Sequence, residues 1–127
     1  MNLNQITVPS ADLNISVPFY QKLGLKLIVS ALPKYARFEC PDGNSSFSLH
    51  FVEEIPEPGI WVYFECEDLD MHVQMLISAG IVFDELPEDQ PWLWREARLK
   101  DPDGNRIILY HAGLNRLYPP WRIDQDF

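Results

Sequence analysis

Residues 36–44 read Ala36-Arg37-Phe38-Glu39-Cys40-Pro41-Asp42-Gly43-Asn44, and residues 97–105 read Ala97-Arg98-Leu99-Lys100-Asp101-Pro102-Asp103-Gly104-Asn105. The stretches share Ala-Arg, an apolar residue and then Pro-Asp-Gly-Asn, 61 positions apart. Proline presets φ, Asp and Asn bond their own backbone, and Gly accepts positive φ, so each stretch is a strand running into a tight turn. Working outward, the repeat continues at a smaller offset. Asp12-Leu13 matches Asp68-Leu69, Val17 matches Val73, Gly24 matches Gly80, Leu25 matches Ile81 and Leu27 matches Phe83, all 56 positions apart. The offset grows because the second copy has a longer middle loop. The chain therefore holds two copies of one unit. The first covers about 1–55 and the second about 59–112, with Pro56-Glu57-Pro58-Gly59 as the joint and 113–127 as a tail.

Each copy reads as a strand, a helix and three more strands. Leu3 to Val8 alternates and is rich in β-branched residues, which predicts a strand. Asp12 is the expected N-cap of a helix that runs to Leu23 and is closed by Gly24. Pro18 either kinks that helix or moves its start to Ser16. Leu25 to Ser30, Tyr35 to Cys40 and Phe47 to Val52 read as strands. In the second copy Trp61 to Cys66 is the first strand. Asp68 caps a helix with an apolar stripe of Leu69, Val73, Leu76 and Ile77, and Gly80 ends it. Val82 to Glu85, Trp94 to Lys100 and Arg106 to His111 complete the expected sheet. The fold class is α+β, one domain built from two βαβββ units.

A chain of 127 residues suits a single domain, and 46% apolar with 13% aromatic residues is a globular composition. No apolar run has the length of a membrane span. The first residues lack the basic start and apolar stretch of a signal peptide, so a cytoplasmic location is expected. Nineteen acids against ten bases leave a net charge of −9. Without clustered Lys and Arg, neither nucleic acid nor an anionic membrane is an expected partner. The charge reads as a solubility device, or more sharply as a preference for a cationic ligand. Cys40 and Cys66 each follow Phe-Glu in a strand and read as small buried hydrophobes.

The doubled βαβββ unit, the Asp-Leu helix starts, the Phe19-Tyr20 and Leu23-Gly24 helix end, and the Asp101-Pro102-Asp103-Gly104 hairpin together resemble the vicinal oxygen chelate superfamily. That group includes glyoxalase I, bleomycin-resistance proteins, fosfomycin-resistance enzymes and extradiol dioxygenases. The resemblance spans residues 2–112. It implies two sheets curled around a shared cavity, helices outside, and a homodimer. It also implies a divalent metal held by two side chains from each unit, one on the first strand and one on the last. Here those positions fall on Gln5, Ser48, Trp61 and Ile108. Only Gln5 is a family-type ligand. Trp61 and Ile108 offer no donor, and Ser48 is a poor ligand for a first-row ion. His50, two residues past Ser48 on the same strand face, makes a second donor. Two fall short of the three that a catalytic metal site normally takes from protein.

Alternation places Gln5, Thr7, Ser48 and His50 from the first unit, and Trp61, Tyr63, Glu65, Arg106, Ile108 and Tyr110 from the second, on the inward faces. The expected ligand-binding set is Gln5, Ser48, His50, Trp61, Tyr63, Glu65 and Arg106, with Glu65 and Arg106 available to pair. Trp61 would supply a stacking face, and His50 and Tyr63 directional hydrogen bonds. A filled core is the competing reading of the same residues. Trp92 and Trp94 read as a pocket rim or as loop packing. Tyr118, Pro119, Pro120 and Trp121 are too aromatic for a free terminus and are expected to pack on the body or on a partner. His111 reads as structural and His72 as exposed. Arg37 and Arg98, equivalent in the repeat, read as structural.

The leading expectation is a small-molecule-binding protein that sequesters an organic ligand in an aromatic cavity, with no metal and no cofactor. The alternative is a metal-dependent lyase or isomerase similar to glyoxalase I, with a non-standard set around Gln5 and His50. A third is a filled-cavity protein acting through its dimer surface. Whether the chain is an enzyme stays open at this point.

Overall fold

A computed structural model of the protein describes residues 3–57 and 59–123. Pro58 of the expected joint and residues 124–127 of the tail lie outside the described residues. The element order is β1 (Gln5–Ser10), α1 (Leu13–Leu23), β2 (Lys26–Ala31), β3 (Tyr35–Glu39), β4 (Ser46–Phe51), β5 (Trp61–Glu65), α2 (Leu69–Ser78), β6 (Glu85–Asp89), β7 (Arg95–Lys100) and β8 (Arg106–His111), followed by a 3-10 turn at Gly113–Asn115. The strands form two four-stranded sheets, ordered β1-β4-β3-β2 and β5-β8-β7-β6. Each sheet places its first strand beside its last. The repeat in sequence is thus a repeat in topology, and the α+β, twice-βαβββ architecture is present.

In the first sheet β1 runs parallel to β4, with Val8 opposite Leu49, and β3 is antiparallel to β4. Side chains alternate across a strand, so Phe47 and Leu49 share one face and Ser46, Ser48 and His50 the other. α1 covers the apolar face. The Tyr20 ring lies 4.5 Å from Phe47 and 5.9 Å from Phe38, centroid to centroid. Leu13, Val17, Tyr20 and Leu23 form its buried stripe. Asp12 caps the helix by accepting the Asn14 N–H, and Gly24 closes it at φ 114°, where a side chain would be strained. The helix runs unbroken from Leu13, so the later start at Ser16 is not taken. Pro18 sits on the exposed side, and Ser16 is held instead by its side chain.

In the second sheet the buried row is Val62, Ala97, Leu99, Ile107 and Leu109, and α2 contributes Leu69, Val73 and Leu76. Asp68 caps α2 by accepting the Met71 N–H. Two expectations need correction. Ile77 is 40% exposed and lies at the edge of the stripe. The strand expected at Val82 to Glu85 is displaced to Glu85–Asp89. Ile81 is buried as the chain leaves the helix, which turns Val82 outward to 82% exposure. Pairing with β7 begins only where Glu85 meets Arg98, so of the apolar run 81–83 only Ile81 is buried.

The chain divides into two compact units. One comprises the residues up to Trp61 together with Lys100–Arg106, and the other Val62–Leu99 with the chain from Ile107 onward. The hairpin of the second repeat therefore belongs spatially with the first helix. The reason is a buried polar network. The Asp101 carboxylate accepts the Tyr20 hydroxyl at 2.7 Å, the Asn105 side-chain amide at 2.8 Å, and the backbone N–H groups of Asp103 and Asn105 at 2.9 and 2.8 Å. Asn105 donates onward to the Pro9 carbonyl, and Asp103 accepts from the Ser16 hydroxyl and the Ala11 N–H. Burial pushes the Tyr20 phenol far above its usual range, and the neighbouring Asp101 pushes it further. Burial also raises Asp101, partly offset by the four hydrogen bonds that favour its ionised form.

Candidate functional site

The face of the first sheet opposite α1 is polar. Strand register sets out its rows. Gln5, Ser46 and Glu39 lie side by side across β1, β4 and β3; Thr7, Ser48 and Arg37 form the next row; Pro9, His50 and Tyr35 the third. Gln5, Ser48 and His50 are therefore on one face, as alternation requires. They are not brought together as one cluster. The Gln5 amide oxygen accepts the Ser46 hydroxyl at 2.7 Å. Ser48 is fully buried and hydrogen-bonds the Tyr35 hydroxyl at 2.7 Å. The Tyr35 oxygen also accepts Arg37 Nε–H at 2.9 Å. Hydrogen bonds from Ser48 and Arg37 hold the Tyr35 phenol below its ordinary range, against a smaller opposing effect of burial. His50 is exposed, directly across the ladder from Tyr35.

The corresponding face of the second sheet is aromatic. Trp94 stacks on Tyr110 with centroids 4.6 Å apart and planes 17° apart. The Tyr63 ring meets both edge-on, at 6.2 and 5.8 Å. Ile108, Tyr110 and Ala112 form a buried apolar group against which Trp94 packs. Burial raises the Tyr110 phenol, and the nearby Glu65 adds to the effect. Tyr63, packed edge-on against the stack, stays 46% exposed, and Trp61, two residues earlier on β5, 44%. The Arg106 guanidinium lies over the Trp61 ring, 5.0 Å from its centroid.

Glu65 and Arg106 do not pair, contrary to expectation. Glu65 Oε2 accepts the backbone N–H groups of Ala112 and Gly113 at 2.8 and 2.9 Å, and Oε1 lies 3.7 Å from Arg116. The two N–H groups open the 3-10 turn after β8. Their demand for an acceptor outcompetes a distant cation. The Trp94 indole N–H donates to the Asn115 carbonyl at 3.2 Å, so the tail start packs on the body of its own unit. Tyr118 and Trp121, further on, are exposed. Glu65→Ala is expected to cost about 1–2 kcal/mol by leaving two N–H groups without their acceptor. Limited proteolysis checks this through faster cleavage after residue 112.

The metal set implied by the fold does not fit these residues. Gln5 is opposite Ser46, four residues before His50 on the adjacent strand. Four residues of strand separate side chains by about 13 Å, whereas one ion needs its donors within about 2 Å. Ile108 is buried hydrocarbon and Trp61 lies against Arg106. Among the described residues no group of three or more His, Cys, Asp or Glu side chains is placed to hold a metal ion.

Sequence reasoning passed over Tyr35 and set Arg37 aside as structural. The signal was available, since the residue equivalent to Tyr35 in the second copy is Glu96. The two arginines consequently have different surroundings. Arg98 pairs with the buried Glu96 at 3.0 Å and with Glu85 at 3.7 Å. Arg37 has a phenol in place of the carboxylate. Of the other residues considered, Trp92 donates to Glu96 at 2.6 Å, His111 Nδ1 lies 2.9 Å from the Cys66 carbonyl, and His72 is exposed on α2.

A family model described as Glyoxalase/Bleomycin resistance protein/Dioxygenase superfamily matches residues 2–109. No curated protein matches the sequence. Among solved structures, a glyoxalase/bleomycin resistance protein/dioxygenase from Nocardioides aligns at 23% identity and a TM-score of 0.73, covering 100% of this chain and 89% of its own. A bleomycin-binding protein complexed with bleomycin aligns at 20% identity and 0.71, covering 87% and 98%. A lactoylglutathione lyase from Agrobacterium tumefaciens aligns at 18% identity and 0.74, covering 89% and 95%. At these identities the likeness is one of fold.

Proposed function

Since the chain belongs to the glyoxalase/bleomycin resistance protein/dioxygenase superfamily, we propose that it binds a small organic molecule on a sheet face opposite a helix, without a metal ion or cofactor. The observation that carries this reading is the half-exposed Tyr63 ring against the packed Trp94–Tyr110 stack, with the half-exposed Trp61 two residues earlier on the same strand. Aromatic surface flanked by directional polar groups suits a flat or partly apolar ligand. On the second sheet Tyr63 and Trp61 offer stacking faces and Arg106 a polar contact, and Glu65 contributes by fixing the chain after β8. On the first sheet's own polar face Gln5, Ser48 and His50 offer hydrogen-bonding groups. A solved structure of the same fold holds bleomycin, which supports sequestration as a role for this scaffold. Fold alone does not fix function, so the side chains of this chain carry the argument.

The metal-dependent lyase or isomerase reading loses support from the spacing of Gln5 and His50. The filled-core reading draws on one specific feature, the buried Ile108 in the apolar group against which Trp94 packs. The protein is read as a cytoplasmic homodimer. Two free cysteines suit a reducing compartment, no helix among the described residues is long and apolar enough to cross a membrane, and Tyr118 and Trp121 offer apolar surface to a second copy.

The test joins metal analysis to ligand screening. Protein purified without chelator is expected to hold divalent metal far below one ion per chain by elemental mass spectrometry, unchanged in Gln5→Ala and His50→Ala. A stoichiometric ion lost in both variants would sink the metal-free reading. Planar aromatic molecules are expected to raise the melting temperature, since a ligand specific to the native state stabilises it by mass action.

A further inference from the structure

The two repeats place equivalent arginines on the same face of equivalent strands, Arg37 on β3 and Arg98 on β7. Their electrostatic states differ. Arg98 is neutralised twice, by Glu96 and Glu85. At the position equivalent to Glu96, the first repeat has Tyr35. A phenol accepts the Arg37 Nε–H at 2.9 Å but brings no negative charge. Among the described residues Arg37 makes no ion pair. Glu39, two residues along the same strand face, is the nearest acid in register and does not close on it. The repeat thus keeps the arginine and removes its counter-charge on one side only.

Its neighbours are donors. Ser48, opposite Arg37 in the ladder and fully buried, shares a 2.7 Å hydrogen bond with the Tyr35 hydroxyl. Two hydroxyls that share one bond always leave one O–H over. If Ser48 donates, the half-buried Tyr35 keeps its proton for an outside acceptor. Arg37 is engaged through Nε, which leaves its two terminal nitrogens as a planar pair of donors. A fork of N–H groups beside a hydroxyl matches a planar, two-oxygen anion.

We propose that Arg37, Tyr35 and Ser48 form a recognition subsite for the carboxylate of a small organic acid. The inference rests on the small-molecule reading above and narrows it to an anionic head group. It reverses the preference for a cation that the net charge of −9 suggests. Screening limits the reach of distant charges to about 8 Å at physiological ionic strength, so an uncompensated cation in contact outweighs the overall balance.

The test uses the full chain with two probes of one aromatic body, benzoate and benzylammonium, followed by side-chain NMR. Benzoate is expected to shift the Arg37 Nε–H and Tyr35 ring resonances, and benzylammonium to leave them unmoved. Arg37→Gln is expected to weaken benzoate at least about tenfold, the loss typical of one charge-assisted contact. Arg37→Lys keeps charge but not the fork, and is expected to fall between. If benzylammonium moves these residues instead, or benzoate moves only Tyr63 and Trp61, the carboxylate assignment is overturned while small-molecule binding stands. If neither probe moves any resonance on either sheet face, both readings fall. Benzoate binding unchanged in both Arg37 variants also overturns the assignment.

Discussion

Asp101→Ala is expected to lower the unfolding free energy by about 3–5 kcal/mol, because it leaves several donors of a largely buried network without an acceptor at about 1–3 kcal/mol each. Asp101 accepts four hydrogen bonds, from Tyr20, from both amide groups of Asn105, and from the Asp103 backbone. Alanine leaves these donors buried with no acceptor, which costs more than the bonds themselves contribute. For a domain of this size that corresponds to a fall of about 10–20 °C in melting temperature. Tyr20→Phe removes one donor and keeps the ring on Phe47, so about 1–2 kcal/mol is expected. Urea unfolding of both variants checks the ordering, and a cost below that of Tyr20→Phe would refute the network's role. The pH dependence has a definite sign. Burial raises the folded pKa of Asp101 above its unfolded value, so the native state binds the extra proton. The contribution of this group therefore falls as pH rises from the ordinary carboxylate range through the raised folded value. Asp101→Asn should abolish that slope.

The second large effect separates packing from recognition among the tryptophans. Trp94→Ala is expected to cost about 3 kcal/mol, because a large aromatic is removed from a stack against a buried group. Trp61→Ala should cost about 1 kcal/mol, since its ring is half exposed and its defined contact is the Arg106 guanidinium. For ligand binding the order reverses. Trp61→Ala should weaken an aromatic ligand roughly tenfold with a near-normal melting temperature, as an exposed stacking face is lost. Calorimetric titration beside thermal unfolding reads both. A Trp61 variant that binds as tightly as the parent would remove Trp61 from the site.

Under the carboxylate proposal, net charge is a poor guide to the sign of the ligand. Several of the nineteen acids behind the net charge of −9 are committed to structure. Asp12 and Asp68 cap helices, Asp101 and Asp103 hold the hairpin, Glu65 fixes the turn after β8, and Glu96 and Glu85 neutralise Arg98. A carboxylate that is hydrogen-bonded to backbone or paired with arginine has little attraction left for a ligand. Among the described residues Arg37 makes no ion pair, and its guanidinium is held by a phenol instead.

Local rules carry over from sequence where their causes are local. The helix caps at Asp12 and Asp68, the closing Gly24 and the duplicated Pro-Asp-Gly-Asn turns were legible because each depends on atoms within four residues. The alternation that puts Ser48 and His50 opposite Phe47 and Leu49 was legible for the same reason. The doubled unit followed from the repeat. What depends on partners distant in the chain was not legible. Tyr20 finds Asp101 at 81 residues' separation, and Glu65 finds the 112–113 amides rather than Arg106. Both are choices among competing donors, settled by which group the folded backbone brings within 3 Å. The Gln5 and His50 spacing was settled likewise by strand register, which shifts every candidate pair together and which no local signal sets. Sequence by itself determined the elements, their caps and the two faces of each sheet, whereas tertiary structure decided which polar and charged groups on those faces pair with one another, because those partners lie far apart in the chain and meet only once the strands are in register.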